Sequence, residues 1–178
     1  MPSWIVYGFQ FVAIGAWTAY AVVYFEAMGI DIALIGVLAA VPAVVAILAS
    51  PEWGLVGDRM GDMRVPYLVA ALWAALAAVG LATAPGMPWL AVAVLMLSLG
   101  AAGLTPLIDA RTIQRLWPQR ERFGQAGVAG SIAFMAGTIG TGILVAASDL
   151  RVMFMVYAVA MTAAGIAAVA LLGRPRGA

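Results

Sequence analysis

The sequence predicts an all-α membrane protein, a single domain over residues 1–178 with six transmembrane helices. Its composition is the first reason, since 65% of the residues are hydrophobic and only 10% are charged. Soluble domains are usually about half apolar and about a quarter charged. The second reason is that the apolar residues form long runs between short polar breaks. A soluble fold could not bury this much apolar surface.

Six apolar runs are long enough to cross a bilayer, whose hydrocarbon core of about 30 Å requires roughly 20 residues of helix. They cover residues 4–28, 33–56, 65–84, 88–109, 123–147 and 152–173. The breaks between them carry glycine, proline or charge, which favour loops. The first run lacks a basic leader and is too long for a signal-peptide core, so we expect a retained helix. Pro42, Pro51 and Pro106 lie inside runs and predict kinks rather than ends.

The arginines predict the orientation of the helices, because arginine in short loops is retained on the cytoplasmic side. All nine basic residues are arginine. Eight of them fall in the second break, the fourth break or the C-terminus: Arg59, Arg64, Arg111, Arg115, Arg120, Arg122, Arg174 and Arg176. Only Arg151 falls in an odd break, while Glu26, at the outer end of the first run, and Asp31 make the first external loop acidic. We therefore expect both termini in the cytoplasm and the protein in a plasma or inner membrane.

Several classes of protein do not fit this sequence. Cysteine and histidine are absent, so a disulfide framework and a Cys/His metal site are excluded. The net charge of +1 gives no reason to expect a nucleic-acid partner. No phosphate-binding glycine loop precedes a lysine, and no nucleophile has a histidine base. We expect neither an enzyme nor a cofactor, and the expected partners are membrane lipid and a small-molecule solute.

The break after the second run resembles the signature loop of the major facilitator superfamily of transporters. In that pattern a glycine, an Asp-Arg pair and a second glycine precede basic residues. The matching residues are Gly54, Asp58, Arg59 and Gly61. Asp62 and Met63 stand where the family has basic residues, and Arg64 is the nearest substitute. The resemblance implies a gating loop in which Asp58 bonds the N-terminal amides of a neighbouring helix and Gly61 permits a tight reversal.

A second resemblance covers the fourth and fifth runs. The segments 106–110, 122–124 and 130–134 are similar to those of the sugar- and nucleoside-type proton symporters. The Gly-Pro motif of drug antiporters is absent from residues 137–140. The two resemblances together imply secondary active transport of a small organic solute, coupled to protons and working by alternating access. They also imply two inverted three-helix repeats, as in the N-terminal half of such a transporter.

A superfamily transporter places its site between two six-helix halves, and this chain supplies one. It therefore pairs with a second copy, pairs with a separate half, or is a fragment. If a second copy completes the transporter, we expect a two-fold dimer whose interface includes the first and fourth helices. The alternative function is a non-transporting membrane subunit or scaffold that keeps the fold without the transport cycle.

Polar and aromatic residues inside the runs are candidates for lining a solute pathway. Tyr7 and several later residues form one stripe on the first helix, which suits a sugar or aromatic ligand. The candidates are Gln10, Trp17, Tyr20 and Tyr24 on the first helix, Ser98 and Thr105 on the fourth, and Ser131 and Thr138 on the fifth. Two alternatives remain open. Aromatic residues near span ends also serve as interfacial anchors, and hydroxyls also bond carbonyls of their own helix.

Three carboxylates are candidates for proton coupling, because ionisable groups in membrane helices are costly unless they face a cavity. Glu26 lies at the outer end of the first run, Glu52 follows Pro51 near the inner end of the second, and Asp109 lies at the inner end of the fourth. Arg111 and Arg115 are natural partners for Asp109. A solvated or ion-paired carboxylate at the interface is the alternative for each.

Overall fold

The computed structural model describes residues 2–116 and 123–172, which form six α-helices. They are α1 (Pro2–Ala27), α2 (Ile32–Met60), α3 (Arg64–Ala82), α4 (Met87–Leu116), α5 (Phe123–Ala147) and α6 (Val152–Leu171). Each is long and apolar enough to cross a membrane. The prediction of an all-α protein with six spans is confirmed. Arg120, Arg122, Arg174 and Arg176 lie outside the described residues.

The helices pack in an order that differs from their order in the chain. Helix α1 packs against α5 and α6, α3 packs against α4 and α6, and α2 packs mainly against α4. The packing is symmetric in one respect. If α1, α2 and α3 swap labels with α4, α5 and α6 respectively, the same main helix pairs result. The small residues Ala70, Ala74 and Ala78, one turn apart on α3, are fully buried and allow this close packing. Helices α2 and α5 are the least buried of the six.

Glycine residues bring two helix backbones into contact along the α1–α5 pair. A methyl group at Gly137 would lie 2.6 Å from the carbonyl oxygen of Val12, and one at Gly15 would lie 2.5 Å from that of Phe134. These distances are shorter than van der Waals contact, so glycine is required at both positions. By contrast, Gly140 has open space around its Cα. Close packing against α1 therefore explains some of the glycine residues of α5, such as Gly137, but not Gly140.

Helix α2 continues through Pro42 and Pro51, and helix α4 continues through Pro106. Pro106 has no N–H for the carbonyl of Ala102, which would be its partner one turn earlier. The hydroxyl of Ser50 on α2 donates to that carbonyl oxygen at 3.0 Å. Beside it, the indole N–H of Trp53 donates to the carbonyl of Leu99 at 2.9 Å. Side chains of α2 thus satisfy backbone groups of α4, as a proline in a membrane helix requires.

Two helices extend beyond the predicted spans. Helix α2 continues to Met60 rather than ending at 56, so Asp58 belongs to its last turn and not to a loop. Helix α4 continues to Leu116 rather than ending at 109, so it includes Arg111. At 1.5 Å per residue, the 29 residues of α2 extend about 43 Å, more than the hydrocarbon core. Hydropathy marks the part of a helix that lies in lipid, whereas the helix itself continues to its cap.

Candidate functional site

A hydrogen-bonded chain of polar side chains links α3, α1 and α4 inside the bundle. Gln10 on α1 is fully buried. Its amide oxygen accepts a bond from the hydroxyl of Tyr67 at 2.8 Å, and its amide nitrogen donates to the hydroxyl of Thr105 at 3.0 Å. Thr105 is exposed at the surface of this six-helix unit. This series of hydrogen bonds thus extends from a buried tyrosine to an open face of α4.

One turn further along α4, a carboxylate is bonded to α1. The hydroxyl of Tyr7 donates to Oδ1 of Asp109, which is half-buried. The other two candidate carboxylates, Glu26 and Glu52, are exposed, and their side chains make no hydrogen bond or ion pair within residues 2–116 and 123–172. Asp109 is therefore the candidate best placed to connect helices. Its pairing with Arg111 or Arg115 stays a prediction.

The remaining candidates on α1 and α5 contact one another or their own helix. The hydroxyl of Tyr20 donates to the carbonyl of Thr138 at 2.9 Å, and the hydroxyl of Thr138 donates to the carbonyl of Gly15 at 3.3 Å. Ser131 is exposed and bonds Gly127, one turn earlier, at 3.2 Å. The Tyr20 and Thr138 hydroxyls hold α1 against α5, whereas Ser131 bonds only its own helix. A role in lining a solute pathway stays a prediction for each.

Tyr24 lies at the opposite end of α1 from Asp109. It is buried, and its hydroxyl donates to the carbonyl of Leu81 at the end of α3, at 3.4 Å. Its ring meets Phe154 edge to face, with the centroids 4.8 Å apart, a geometry favoured by aromatic pairs. Tyr24 thus packs α1 against α6 and links it to the end of α3 by a hydrogen bond.

A cavity of about 360 Å³ opens between α1, α2 and α4, with part of α6 as its floor. It brings together Trp17 and Ser98, two of the predicted solute-lining residues. It also includes Thr18 and Tyr157, which the sequence reasoning did not select. A signal for Tyr157 was available, because a tyrosine in the sixth apolar run lies too deep for an interfacial anchor.

The predicted gating segment forms the end of α2 and the turn into α3. Gly61 adopts a left-handed conformation with φ of 62°, and its N–H donates to the carbonyl of Asp58 at 3.2 Å. Glycine tolerates this conformation without a steric cost. The side chains of Asp58 and Arg59 are exposed, and Gly54 lies one turn before Asp58. A carboxylate is unfavourable at a helix C-terminus, so the stability of α2 does not explain Asp58.

Arg64 pairs with Asp62 in the same turn. Its Nε lies 2.9 Å from both carboxylate oxygens, and a terminal nitrogen lies 2.5 Å from Oδ2. The Arg64 guanidinium holds the pKa of the Asp62 carboxyl below its ordinary value, and the positive charge of Arg111 acts in the same direction. Arg64, the expected substitute for the basic residues of the motif, is thus engaged in a local ion pair.

These helices and their polar contacts define a multi-pass membrane protein, and comparison with known families gives the class. Residues 4–174 match the model of the MFS_1 like family. The chain belongs to this family of major facilitator superfamily transporters, and it is not an enzyme.

The chain is 27% identical over 175 residues to a maltose permease of Geobacillus stearothermophilus. This match covers 98% of the chain but 44% of the permease, so the chain spans less than half the length of this curated relative. No match was found among solved structures.

Proposed function

We propose that the chain is a secondary active transporter, or one half of one, that moves a small organic solute by alternating access with proton coupling. The observation that carries the proposal is the polar contact between α1 and α4. The Gln10–Thr105 bond and the Tyr7–Asp109 bond lie one helical turn apart on these two helices. Polar and ionisable groups inside membrane helices are costly and mark solute pathways and proton relays. The maltose permease relative makes a sugar the first solute to test.

The packing of the helices supports two inverted three-helix repeats, α1–α3 and α4–α6. Helix pairs α1–α5 and α1–α6 have the counterparts α4–α2 and α4–α3, as a two-fold axis in the membrane plane requires. The low burial of α2 and α5 leaves them free to contact a second six-helix unit. A second copy, a separate half, or further chain in a longer protein would each supply that unit. In this proposal the exposed side chain of Asp58 bonds a helix end of that second unit as a gating contact.

The proposed orientation is tested by single cysteines, because the chain has no cysteine of its own. With both termini in the cytoplasm, cysteines replacing Ala33 and Met87 face the outside and a cysteine replacing Met63 faces the inside. In intact cells a membrane-impermeant maleimide should label the first two and leave the third unlabelled until the membrane is opened. The reverse pattern would overturn the orientation.

Proton coupling through Asp109 is tested by the variant Asp109→Asn. The amide cannot ionise, so uptake of maltose driven by a proton gradient into proteoliposomes should fall at least about tenfold. Exchange of maltose without a gradient should persist, because that exchange needs no net proton movement. The matched control is Asp31→Asn, since Asp31 only caps α2 by accepting from the Ala33 N–H at 2.9 Å. Equal loss of uptake in the two variants, or full uptake in Asp109→Asn, would exclude a coupling role.

The alternative is a non-transporting membrane subunit or scaffold. A folded protein that takes up no solute, either alone or with a second half, would support this alternative.

A further inference from the structure

A groove of about 610 Å³ runs between α3 and α4 on the side of the bundle. It is lined by residues of α3 between positions 69 and 80 and by residues of α4 between positions 89 and 96, and we call it the α3–α4 groove. No lining residue in the described part of the chain carries a charge or a hydroxyl. Such side chains offer water few hydrogen bonds, so the groove suits an apolar occupant.

The groove faces away from the predicted solute pathway. On α4 it is lined at positions 89, 92, 93 and 96, whereas the cavity between α1, α2 and α4 is lined at positions 97, 98, 101 and 102. With 3.6 residues per turn, these two sets lie on opposite faces of α4. No described residue of α2 or α5, the helices proposed to contact a second six-helix unit, lines the groove. The groove is therefore open to the lipid that surrounds a membrane-spanning bundle.

The groove has a floor of small residues and a rim of large ones. Ala93 is buried and Ala77 is half-buried on the floor, whereas Leu76 and Trp89 on the rim are 73% and 53% exposed. A methyl group at Gly80 would meet no atom within 4 Å, so packing within the bundle does not require glycine there. Glycine costs about 1 kcal/mol relative to alanine in a helix. Its presence keeps one end of the groove open.

The length and position of the groove match one leaflet of a bilayer. From Val69 to Gly80 it follows α3 for eleven residue steps, which at 1.5 Å each is about 17 Å, roughly half of a hydrocarbon core of about 30 Å. At the Gly80 end, the indole N–H of Trp89 donates to the carbonyl of Gly80 at 3.4 Å. Tryptophan is enriched at the level of the lipid headgroups. The groove thus starts near the headgroups and extends toward the bilayer centre.

A second transmembrane helix is a poor fit for this groove. Helices in membranes approach one another through small residues, but the rim here is formed by large side chains, including Trp73, Leu76 and Trp89. Packed helices such as α3 and α4 have axes about 8–10 Å apart, and a helix with its side chains is about 10–12 Å wide. The space between the two rims is therefore narrower than a helix. A single hydrocarbon chain is slender and flexible enough to enter it.

We propose that the α3–α4 groove binds one acyl chain of a phospholipid as a resident lipid. The acyl chain lies over Ala77 and Ala93, with its ester end beside Trp89 and its middle against Trp73, which is about 10 Å deeper than Gly80. Under the proposed orientation this lipid belongs to the outer leaflet. Because no charge lines the groove, the acyl chain and not the headgroup determines binding. The proposal is independent of transport, since it needs only that the helices span a membrane.

Lipid binding is tested by quenching of tryptophan fluorescence in the purified protein in mild detergent. The probe is phosphatidylcholine brominated at the middle of its acyl chains, because bromine quenches an indole at short range. Titration should give quenching that saturates at a low ratio of lipid to detergent, and phosphatidylglycerol with the same brominated chains should give the same curve. Quenching that rises in proportion to the lipid without saturating would show non-specific contact and overturn the proposal.

Two variants assign the quenching to this groove. Gly80→Leu fills the groove and should lose the saturable quenching, and Trp73→Phe should lose most of it because the indole nearest the brominated carbons is removed. Ala91→Leu is the matched control, since it adds a leucine at an exposed position of α4 that does not line the groove, and it should be quenched like the parent. Saturable quenching that persists unchanged in Gly80→Leu and Trp73→Phe would overturn the assignment.

Thermal unfolding in the same detergent tests occupancy without a reporter, because a ligand that binds the folded state raises its stability. Phosphatidylcholine without bromine should raise the unfolding temperature of the parent, of Ala91→Leu and of Trp73→Phe, which retains an apolar wall. Gly80→Leu should show no such rise, whatever its unfolding temperature without lipid. An equal rise in Gly80→Leu and the parent would contradict the proposal. So would a parent that is dimeric without lipid and monomeric as Gly80→Leu, because a second copy would then occupy the groove.

Discussion

Gly137→Ala should lower the stability of the bundle by about 1–3 kcal/mol, the usual cost of overpacking. The added methyl would lie 2.6 Å from the carbonyl oxygen of Val12, and also 2.7 Å from its Cα. Both are backbone atoms, so no side chain can turn aside and α1 itself must move away from α5. That movement would stretch the bonds of Tyr20 and Thr138 across this pair of helices. The measurement is thermal unfolding of the purified protein in mild detergent.

Gly140→Ala is the matched control for this prediction. It lies on the same helix, one turn further along, and its added methyl meets no atom within 4 Å. Alanine is favoured over glycine in a helix interior by about 1 kcal/mol, so this variant should be as stable as the parent or more stable. If both substitutions have the same effect, the α1–α5 pair does not have the close backbone contact described above.

The number of membrane spans and their helical structure could be predicted from sequence, because the bilayer restricts which backbone structures can cross it. Backbone groups in lipid must be bonded within the chain, so a run of about 20 apolar residues is a helix. The ends could not be predicted in the same way. Asp58 and Arg111 are polar, yet both lie within helices that project beyond the apolar runs. The cap at Gly61 depends on local backbone conformation rather than on hydropathy.

The candidate site was only partly predictable, because spacing shows which residues share a helix face but not which helix they meet. Gln10 and Asp109 were selected on polarity, and the structure gives each a partner on another helix. Tyr67 was missed because a tyrosine at the start of a span is usually an interfacial anchor. It is instead 1% exposed and bonded to Gln10. That contact depends on how α1 and α3 both pack against α6, an arrangement that short loops do not specify.

Gln10→Leu should destabilise the bundle because it leaves the hydroxyl of Tyr67 without a hydrogen-bond acceptor. Leucine has nearly the same volume, but it cannot accept the bond from Tyr67, whose hydroxyl is deep inside the protein. Hydrogen bonds between membrane helices average about 0.6 kcal/mol, whereas an unsatisfied buried group costs about 1–3 kcal/mol. The larger range applies here because Tyr67 is 1% exposed and can reach neither water nor headgroups. The loss is measured as the change in unfolding free energy in the same detergent.

The double variant Gln10→Leu/Tyr67→Phe separates this cause from simple loss of packing. Removing the tyrosine hydroxyl as well leaves no unsatisfied group on α3, so most of the stability lost in Gln10→Leu should return. Thr105, which accepts the other Gln10 bond, is exposed, so its loss of that donor in Gln10→Leu should cost little. Thr105→Val, by contrast, leaves the fully buried Gln10 amide N–H without its acceptor and should itself cost about 1–3 kcal/mol. A double variant that is as unstable as the sum of its single changes would show that the two side chains act independently. It would also show that the buried Tyr67–Gln10 hydrogen bond between α1 and α3 does not stabilise the protein.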